Sequence, residues 1–134
     1  MAKIIDIEGI GPVNAGKLGA AGVTTTGQLL KAAASAAGRK DLSTRTGVGT
    51  SQLLEWVNRA DLFRVKGVGT QYSDLLEAAG VDSPAELAQR KAENLQAKLA
   101  AVNTEKKLVR QVPSVKQVEA IIASAASLPK VVTH

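Results

Sequence analysis

Two stretches of this 134-residue sequence repeat each other without a gap, and this repeat limits the possible folds more than any other feature. Segment 7–30 aligns with segment 65–88, so that Gly9 matches Gly67 and every later pair keeps the same spacing. The tetrapeptide Ala-Ala-Gly-Val stands at 20–23 and again at 78–81. The repeat indicates a duplication, with one supersecondary unit used more than once.

The repeated unit contains a Gly-aliphatic-Gly turn between two helical segments. Glycine tolerates positive φ and allows a close approach of the backbone, and we expect the aliphatic residue to point inward and anchor the turn. The pattern occurs three times, at Gly9-Ile10-Gly11, Gly47-Val48-Gly49 and Gly67-Val68-Gly69.

A fourth, weaker copy lies near the chain end. Segment 110–122 aligns with 45–57, but Val112-Pro113-Ser114 replaces the glycine turn. We therefore predict four units in two pairs, residues 1–62 and 63–134, with a degenerate last hairpin.

Helical signals dominate the rest of the chain, and no alternation long enough for a strand is present. Leu53, Trp56, Val57 and Ala60 share one helical face, as do Val115, Val118, Ile121 and Ile122. Capping boxes are predicted at Thr25 and Ser83, and helix ends at Gly22 and Gly80. The Ala/Ser-rich stretch from Ala32 is predicted as helix running to Gly38. The sequence predicts an all-α fold in which the duplicated units pack as one compact helical domain.

The residue types present exclude several kinds of site. There is no cysteine, which excludes disulfides and thiolate metal sites. His134 is the single histidine and stands at the chain end, which argues against a Ser-His-Asp triad. No apolar run reaches the ~20 residues of a membrane helix. The N-terminus lacks the pattern of a signal peptide. We expect a soluble cytoplasmic protein that does not bind membranes.

One stretch imitates a nucleotide-binding motif. Gly11 to Lys17 fits Gly-x4-Gly-Lys, but Leu18 follows where a P-loop needs Ser or Thr to hold Mg²⁺. The second copy has Asp74 in the place of Gly16. We expect no nucleotide hydrolysis, no enzymatic activity, no cofactor, no metal and no small-molecule substrate.

These turns resemble the helix-hairpin-helix superfamily, whose signature is an aliphatic-Gly-aliphatic-Gly turn between two helices. Residues 7–12 and 65–69 carry that signature most clearly. The whole of residues 4–134 is similar to a bacterial family of tandem helix-hairpin-helix proteins that is catalogued as a domain of unknown function. Segments 55–64 and 106–110 are the most similar to that family.

The resemblance implies sequence-independent contact with a nucleic-acid backbone through the N–H groups of the hairpins. Carried over by position, the DNA-binding residues are the three turns with the threonines that follow two of them, and three nearby cations. They are Gly9, Ile10, Gly11, Gly47, Val48, Gly49, Thr50, Gly67, Val68, Gly69, Thr70, Lys17, Arg45 and Lys66. Pro113 has no N–H, which counts against a contact by the fourth hairpin.

The net charge of +5 and the pI of 9.7 favour an anionic partner. We expect non-specific binding of double-stranded DNA, by coating or bridging the duplex, and a nucleoid-associated location. The alternative is a protein-interaction, self-associating or scaffold module that kept the fold without the ligand, in which the glycines only close turns. RNA, junctions and single strands also remain open as ligands.

Overall fold

Helices form the regular structure of this computed structural model, which describes residues 3–7 and 9–133 apart from the side chain of Thr70. A 3-10 turn at Ile4–Asp6 precedes the α-helices. These are α1 (Gly11–Ala20), α2 (Thr26–Ala33), α3 (Ala36–Thr46), α4 (Thr50–Leu62), α5 (Thr70–Ala78), α6 (Pro84–Ala88), α7 (Ala92–Lys106) and α8 (Val115–Ala126). Outside the helices, Lys3 and Thr25 form an isolated β-bridge. The predicted all-α class is confirmed.

The chain divides into two compact units near the middle of the sequence. The second unit is Leu62–Pro129, and the first holds the described residues before Leu62 together with 130–133. The boundary lies one residue before the predicted one. The end of the chain, which was predicted to belong to the second pair, lies in the first unit.

Arg39 holds this chain end in the first unit. The side chain is buried, and its guanidinium donates to the carbonyl oxygens of Ala33 and Ala34 at 3.0 Å each and of Thr133 at 2.6 Å. The Thr133 N–H donates in turn to the Ala34 oxygen at 2.8 Å. The last carbonyls of a helix have no intrahelical partner, so a cation there satisfies them and complements the helix dipole. The end of α2 and the end of the chain therefore share one arginine.

The first unit buries the face of α4 that the sequence predicted. Leu53, Trp56, Val57 and Ala60 are all buried, at 2% exposure or less. The preceding helices contribute leucines that are fully buried: Leu18, Leu29 and Leu42. Each buried leucine contributes about 1.5–3 kcal/mol relative to an exposed one. Trp56 is thus a core residue rather than a platform for stacking a ligand.

The second unit has a core of aliphatic side chains drawn from α5 to α8. Leu75, Leu76, Leu87, Leu99, Val118 and Ile121 belong to it. Tyr72 packs against this cluster while remaining half-exposed. Small and aliphatic residues suffice here because short helices can approach one another closely when their facing side chains are small.

Both repeated segments end their first helix with the same hydrogen bonds. The Val23 N–H donates to the Leu18 oxygen at 2.9 Å, and the Val81 N–H donates to the Leu76 oxygen at 2.9 Å. The glycine before each valine has a φ of 85° and 91°, respectively. A bond spanning six residues around a left-handed glycine is the Schellman motif. The predicted helix ends are confirmed.

Thr25 and Ser83 both begin helices as predicted, but the predicted capping box is complete only at Thr25. Thr25 Oγ1 accepts from the Gln28 N–H at 3.1 Å, and Gln28 Oε1 accepts from the Thr25 N–H at 3.3 Å, which is the reciprocal capping box. Ser83 Oγ accepts from the Glu86 N–H at 3.2 Å. The Glu86 carboxylate pairs with Arg90 at 2.9 Å.

The Ala/Ser-rich stretch 32–38 is not one helix, and this prediction was wrong. Ser35 has an extended backbone between α2 and α3, and its Oγ accepts from the Gly38 N–H at 3.0 Å. Serine caps a new helix here instead of continuing the old one, because its hydroxyl competes for backbone donors. Gly38 lies in the first turn of α3, where an added Cβ would collide with the Ala32 carbonyl oxygen.

Candidate functional site

The three Gly-aliphatic-Gly turns share one arrangement. We call them turn 1 (Gly9–Gly11), turn 2 (Gly47–Gly49) and turn 3 (Gly67–Gly69). Their central residues Ile10, Val48 and Val68 are 2%, 5% and 7% exposed, and the flanking glycines are exposed. The buried aliphatic side chain anchors each turn and leaves the glycine backbone at the surface, as the sequence predicted.

The first glycine of each turn is required by the backbone. In turns 1 and 3 it has a φ of 91° and 93°, and in turn 2 a φ of 78°. The Ile10 N–H donates to the Ile7 oxygen at 3.3 Å, and the Val68 N–H donates to the Val65 oxygen at 3.1 Å, so turns 1 and 3 close in the same way. Residues with a Cβ rarely adopt this conformation, so the turn itself explains these glycines.

The second glycines of turns 2 and 3 have no such explanation. Gly69 has φ −101° and ψ −172°, an extended conformation open to any residue, and Gly49 is also outside the positive-φ region. An added Cβ at either position would meet no atom of the described structure within 4 Å. Neither backbone strain nor internal packing calls for glycine here.

These two glycines stand directly before the helices α4 and α5. The Leu53 N–H donates to the Gly49 oxygen at 3.0 Å and the Ser73 N–H to the Gly69 oxygen at 2.9 Å, which are the first bonds of each helix. The N–H groups of the residues between lack a helical carbonyl partner. Glycine has no side chain with which to cap them, and the positive end of the helix dipole favours an anion there.

Turn 1 offers fewer donors than turns 2 and 3. Gly11 is the first residue of α1 and has a φ of 68°, and Pro12 follows it without an N–H. Ile10, at the capping position, makes no side-chain cap bond. The Pro12 ring removes one of the donors that an anion at this helix start would use.

The fourth turn satisfies two of its own donors. Ser114 Oγ accepts from the Gln117 N–H at 3.2 Å, and Gln117 Oε1 accepts from the Ser114 N–H at 2.9 Å, so a complete capping box begins α8. Pro113 before it is buried. An anion at this helix start would have to displace bonds that the protein already makes.

The model of the family described as Domain of unknown function (DUF4332) matches residues 8–128, a range that contains all four turns. The chain belongs to the DUF4332 family. No curated protein and no solved structure matches it significantly.

In this DUF4332 chain the predicted cations differ in their relation to the turns. Lys66 is exposed and directly precedes turn 3. Arg45 is exposed in the last turn of α3, just before turn 2, and pairs with Asp41 at 3.1 Å. Lys17 lies in the last turn of α1, at the opposite end of that helix from turn 1. The structure therefore brings Lys66 and Arg45 beside turns, and leaves Lys17 away from the turn it was predicted to assist.

The threonines that follow turns 2 and 3 are the first residues of α4 and α5. Thr50 is exposed. The side chain of Thr70 lies outside the described structure, as do Glu8 in the first repeat and His134. Both threonines that were predicted as hydroxyl donors thus stand at helix starts. Of the two side chains, the structure describes that of Thr50.

Other kinds of site receive no support from the described residues. They contain no group of three or more His, Cys, Asp or Glu side chains that could hold a metal ion, and no helix among them could cross a membrane. Gly16 and Lys17 lie within α1 rather than in a loop, so they do not form the phosphate-binding loop that their spacing imitates.

The prediction missed two features: the Arg39 cluster and a cleft beside turn 3. The cleft is lined by Lys66, Tyr72 and residues of α8 that include Ala120 and Ser124. Its one trace in the sequence is the occurrence of small residues on α8, at positions where the aligned helix α4 carries large ones.

Proposed function

We propose that this DUF4332 chain is a non-enzymatic protein that binds nucleic-acid backbones without reading their sequence, with double-stranded DNA as the preferred partner. The proposal interprets turns 1 to 3 as helix-hairpin-helix motifs. In this interpretation the N–H groups of the second glycine of each turn and of the following helix start bind a phosphate, because the central N–H groups of the turns already donate within the protein.

The observation that carries the proposal is the pair of glycines Gly49 and Gly69. Each stands directly before a helix without a side chain of its own to cap the first N–H groups, and each has an exposed backbone whose conformation does not need glycine. A side chain would nevertheless stand between the helix N-terminus and anything that approached it from outside. Glycine at these positions is what a phosphate in contact with backbone N–H groups requires.

The charges near the turns support the same partner. Lys66 stands next to turn 3, and the chain carries a net charge of +5. Phosphate contacts of this kind give affinity and no sequence preference, because every nucleotide carries the same phosphate. Arg45 can contribute less, because Asp41 already offsets part of its charge.

Two observations favour a protein-interaction module as the second candidate. The capping box of Ser114 and Gln117 occupies the donors at the fourth turn, and the Arg45–Asp41 pair lowers the positive charge beside turn 2. A module that kept the fold but lost its ligand would retain buried Ile10, Val48 and Val68 and would not need Gly49 or Gly69.

Fluorescence anisotropy with a labelled duplex of random sequence, measured over a series of salt concentrations, tests the proposal. With about three phosphates neutralised, the plot of log affinity against log salt should have a slope of roughly −3. Two duplexes of unrelated sequence should bind equally. RNA duplex, a four-way junction and single-stranded DNA, measured in parallel, establish the preferred form. No binding of any of these at low salt and micromolar protein would overturn the proposal and leave the protein-interaction module.

A further inference from the structure

An open cleft of about 370 Å³ lies beside turn 3 in the second unit. It is lined by Lys66 and Gly67, by Tyr72 of α5, and by Gln117, Ala120 and Ser124 of α8. The volume is within the range of about 300–1,000 Å³ that small-molecule sites occupy. The lining combines one cation, one aromatic ring and small side chains.

Hydrogen bonds hold the walls of the cleft in place. The Lys66 N–H donates to Ser124 Oγ at 3.0 Å, which ties the residue before turn 3 to α8. The Gln117 side chain is held by its bond to the Ser114 N–H at 2.9 Å. Tyr72 packs on the core through part of its ring, and its hydroxyl lies 3.5 Å from the Gln111 oxygen. The ring of Tyr72 and the backbone of Lys66 are therefore held at the edges of the cleft.

Small residues on α8 leave the room for this cleft. In the alignment of the second pair with the first, Ala120 takes the position of Glu55, and Ser124 that of Arg59. Arg59 is buried in the first unit, at 8% exposure, whereas Ser124 is half-buried and lines the cleft. The second unit has alanine and serine at these positions, and with them an open cleft beside its glycine turn.

We infer that this cleft holds the base of one unpaired nucleotide, stacked on Tyr72, with the adjoining phosphate between Lys66 and the N–H groups that begin α5. An aromatic ring stacks on any base, which suits binding without sequence preference. The inference rests on the proposed backbone binding at turn 3. It also accounts for the fourth turn, because a unit that holds one phosphate and one base does not need a second phosphate contact.

The experiment compares three labelled DNAs of equal duplex length by fluorescence anisotropy. One is blunt, one carries a short unpaired extension, and one carries the same extension with abasic nucleotides. We expect the extended duplex to bind about tenfold more tightly than the blunt one, as one stacked base provides. The abasic extension adds phosphates without bases and should recover little of this preference.

Two variants of α8 connect the preference with the cleft. Ala120→Leu fills the cleft from an exposed helical position and should abolish the preference for the extension while leaving the affinity for blunt duplex unchanged. Ala123→Leu is the matched control, because Ala123 is also exposed on α8 and is outside the cleft lining. This control should retain the full preference. Tyr72→Leu, which keeps apolar packing on the core, should lose the preference as Ala120→Leu does.

The outcomes separate this inference from the function on which it rests. Binding of blunt duplex with neither a preference for the extension nor binding of a free deoxynucleoside monophosphate overturns the role of the cleft and leaves the proposed function standing. A preference that survives in Ala120→Leu, or that the abasic extension reproduces, also overturns the cleft. Failure to bind any DNA or RNA overturns both. If a free deoxynucleoside monophosphate binds the cleft and the extension gives no preference, the inference that the nucleotide belongs to a DNA strand is overturned.

Discussion

Glycines in this chain serve different physical purposes although they belong to one sequence pattern. Gly67 has a φ of 93°, so the turn itself needs glycine there. Gly69, two residues later, has an extended backbone and open space around the position of a Cβ. The sequence pattern predicts both positions as parts of one motif, and the backbone angles separate a residue that folding requires from one that it does not.

We expect Gly69→Ser to weaken duplex binding by about fivefold, the loss of roughly one hydrogen bond, while the protein stays folded. The serine hydroxyl would accept from the Tyr72 N–H, as Ser114 accepts from Gln117, and would take a donor that the phosphate needs. Serine is at least as good a cap as glycine, so the free energy of unfolding should rise by a few tenths of a kcal/mol. Anisotropy and chemical denaturation measure the two effects.

Gly16→Ser serves as the control for this residue change. Gly16 is exposed in the middle of α1, away from the helix starts, and nothing lies within 4 Å of its Cβ position. Its substitution should leave DNA affinity unchanged. If Gly69→Ser bound duplex as well as the unsubstituted protein, the assignment of a phosphate to turn 3 would be wrong.

At the level of helices, α5 and α8 begin in chemically opposite ways. Glycine precedes α5 and supplies no side-chain cap to its first donors, whereas Ser114 and Gln117 form a capping box at the start of α8. The serine, glutamine and proline that produce this difference are visible in the sequence. The break between α2 and α3 was not predicted, because alanine favours helix throughout 32–37 and Ser35 alone interrupts it.

Ser114→Gly should lower the free energy of unfolding by a few tenths of a kcal/mol and leave duplex affinity within about twofold of its original value. The reason is that the start of α8 contributes no phosphate contact in the proposed function.

Gly49→Ser places a capping side chain at the start of α4 in the first pair. It should weaken binding at least as much as Gly69→Ser does, because the first pair has two glycine turns that can act together. A loss of affinity in Ser114→Gly as large as that in Gly49→Ser would show that the fourth turn contacts the ligand.

On the scale of the molecule, Arg39 joins parts of the sequence that are 94 residues apart. We expect Arg39→Met to lower the free energy of unfolding by about 2–4 kcal/mol, because it leaves the buried carbonyl oxygen of Ala33 and the partly buried one of Ala34 without their charged donor. Hydrogen exchange of the Thr133 N–H should become faster, since that residue loses its hydrogen bond from Arg39. Chemical denaturation and exchange measured by NMR give the two quantities.

Lys40→Met is the matched control, because Lys40 adjoins Arg39 on α3 and is exposed. It should change the free energy of unfolding by no more than about 0.5 kcal/mol, as surface substitutions do. Equal losses in the two variants would mean that the charge of α3, rather than the bonds of Arg39, stabilises this region.

The sequence by itself determined the features that arise within a few residues. Caps and glycine conformations act locally, and three kinds of feature were therefore predictable. They are the helix starts at Thr25 and Ser83, the helix ends before Val23 and Val81, and the turns around buried aliphatic residues. The tertiary structure alone decided the Arg39 cluster and the cleft beside turn 3, whose partners stand 94 and 58 residues apart in the chain. It also decided which glycines the fold needs, because that depends on backbone angles and on neighbouring atoms that no sequence pattern contains.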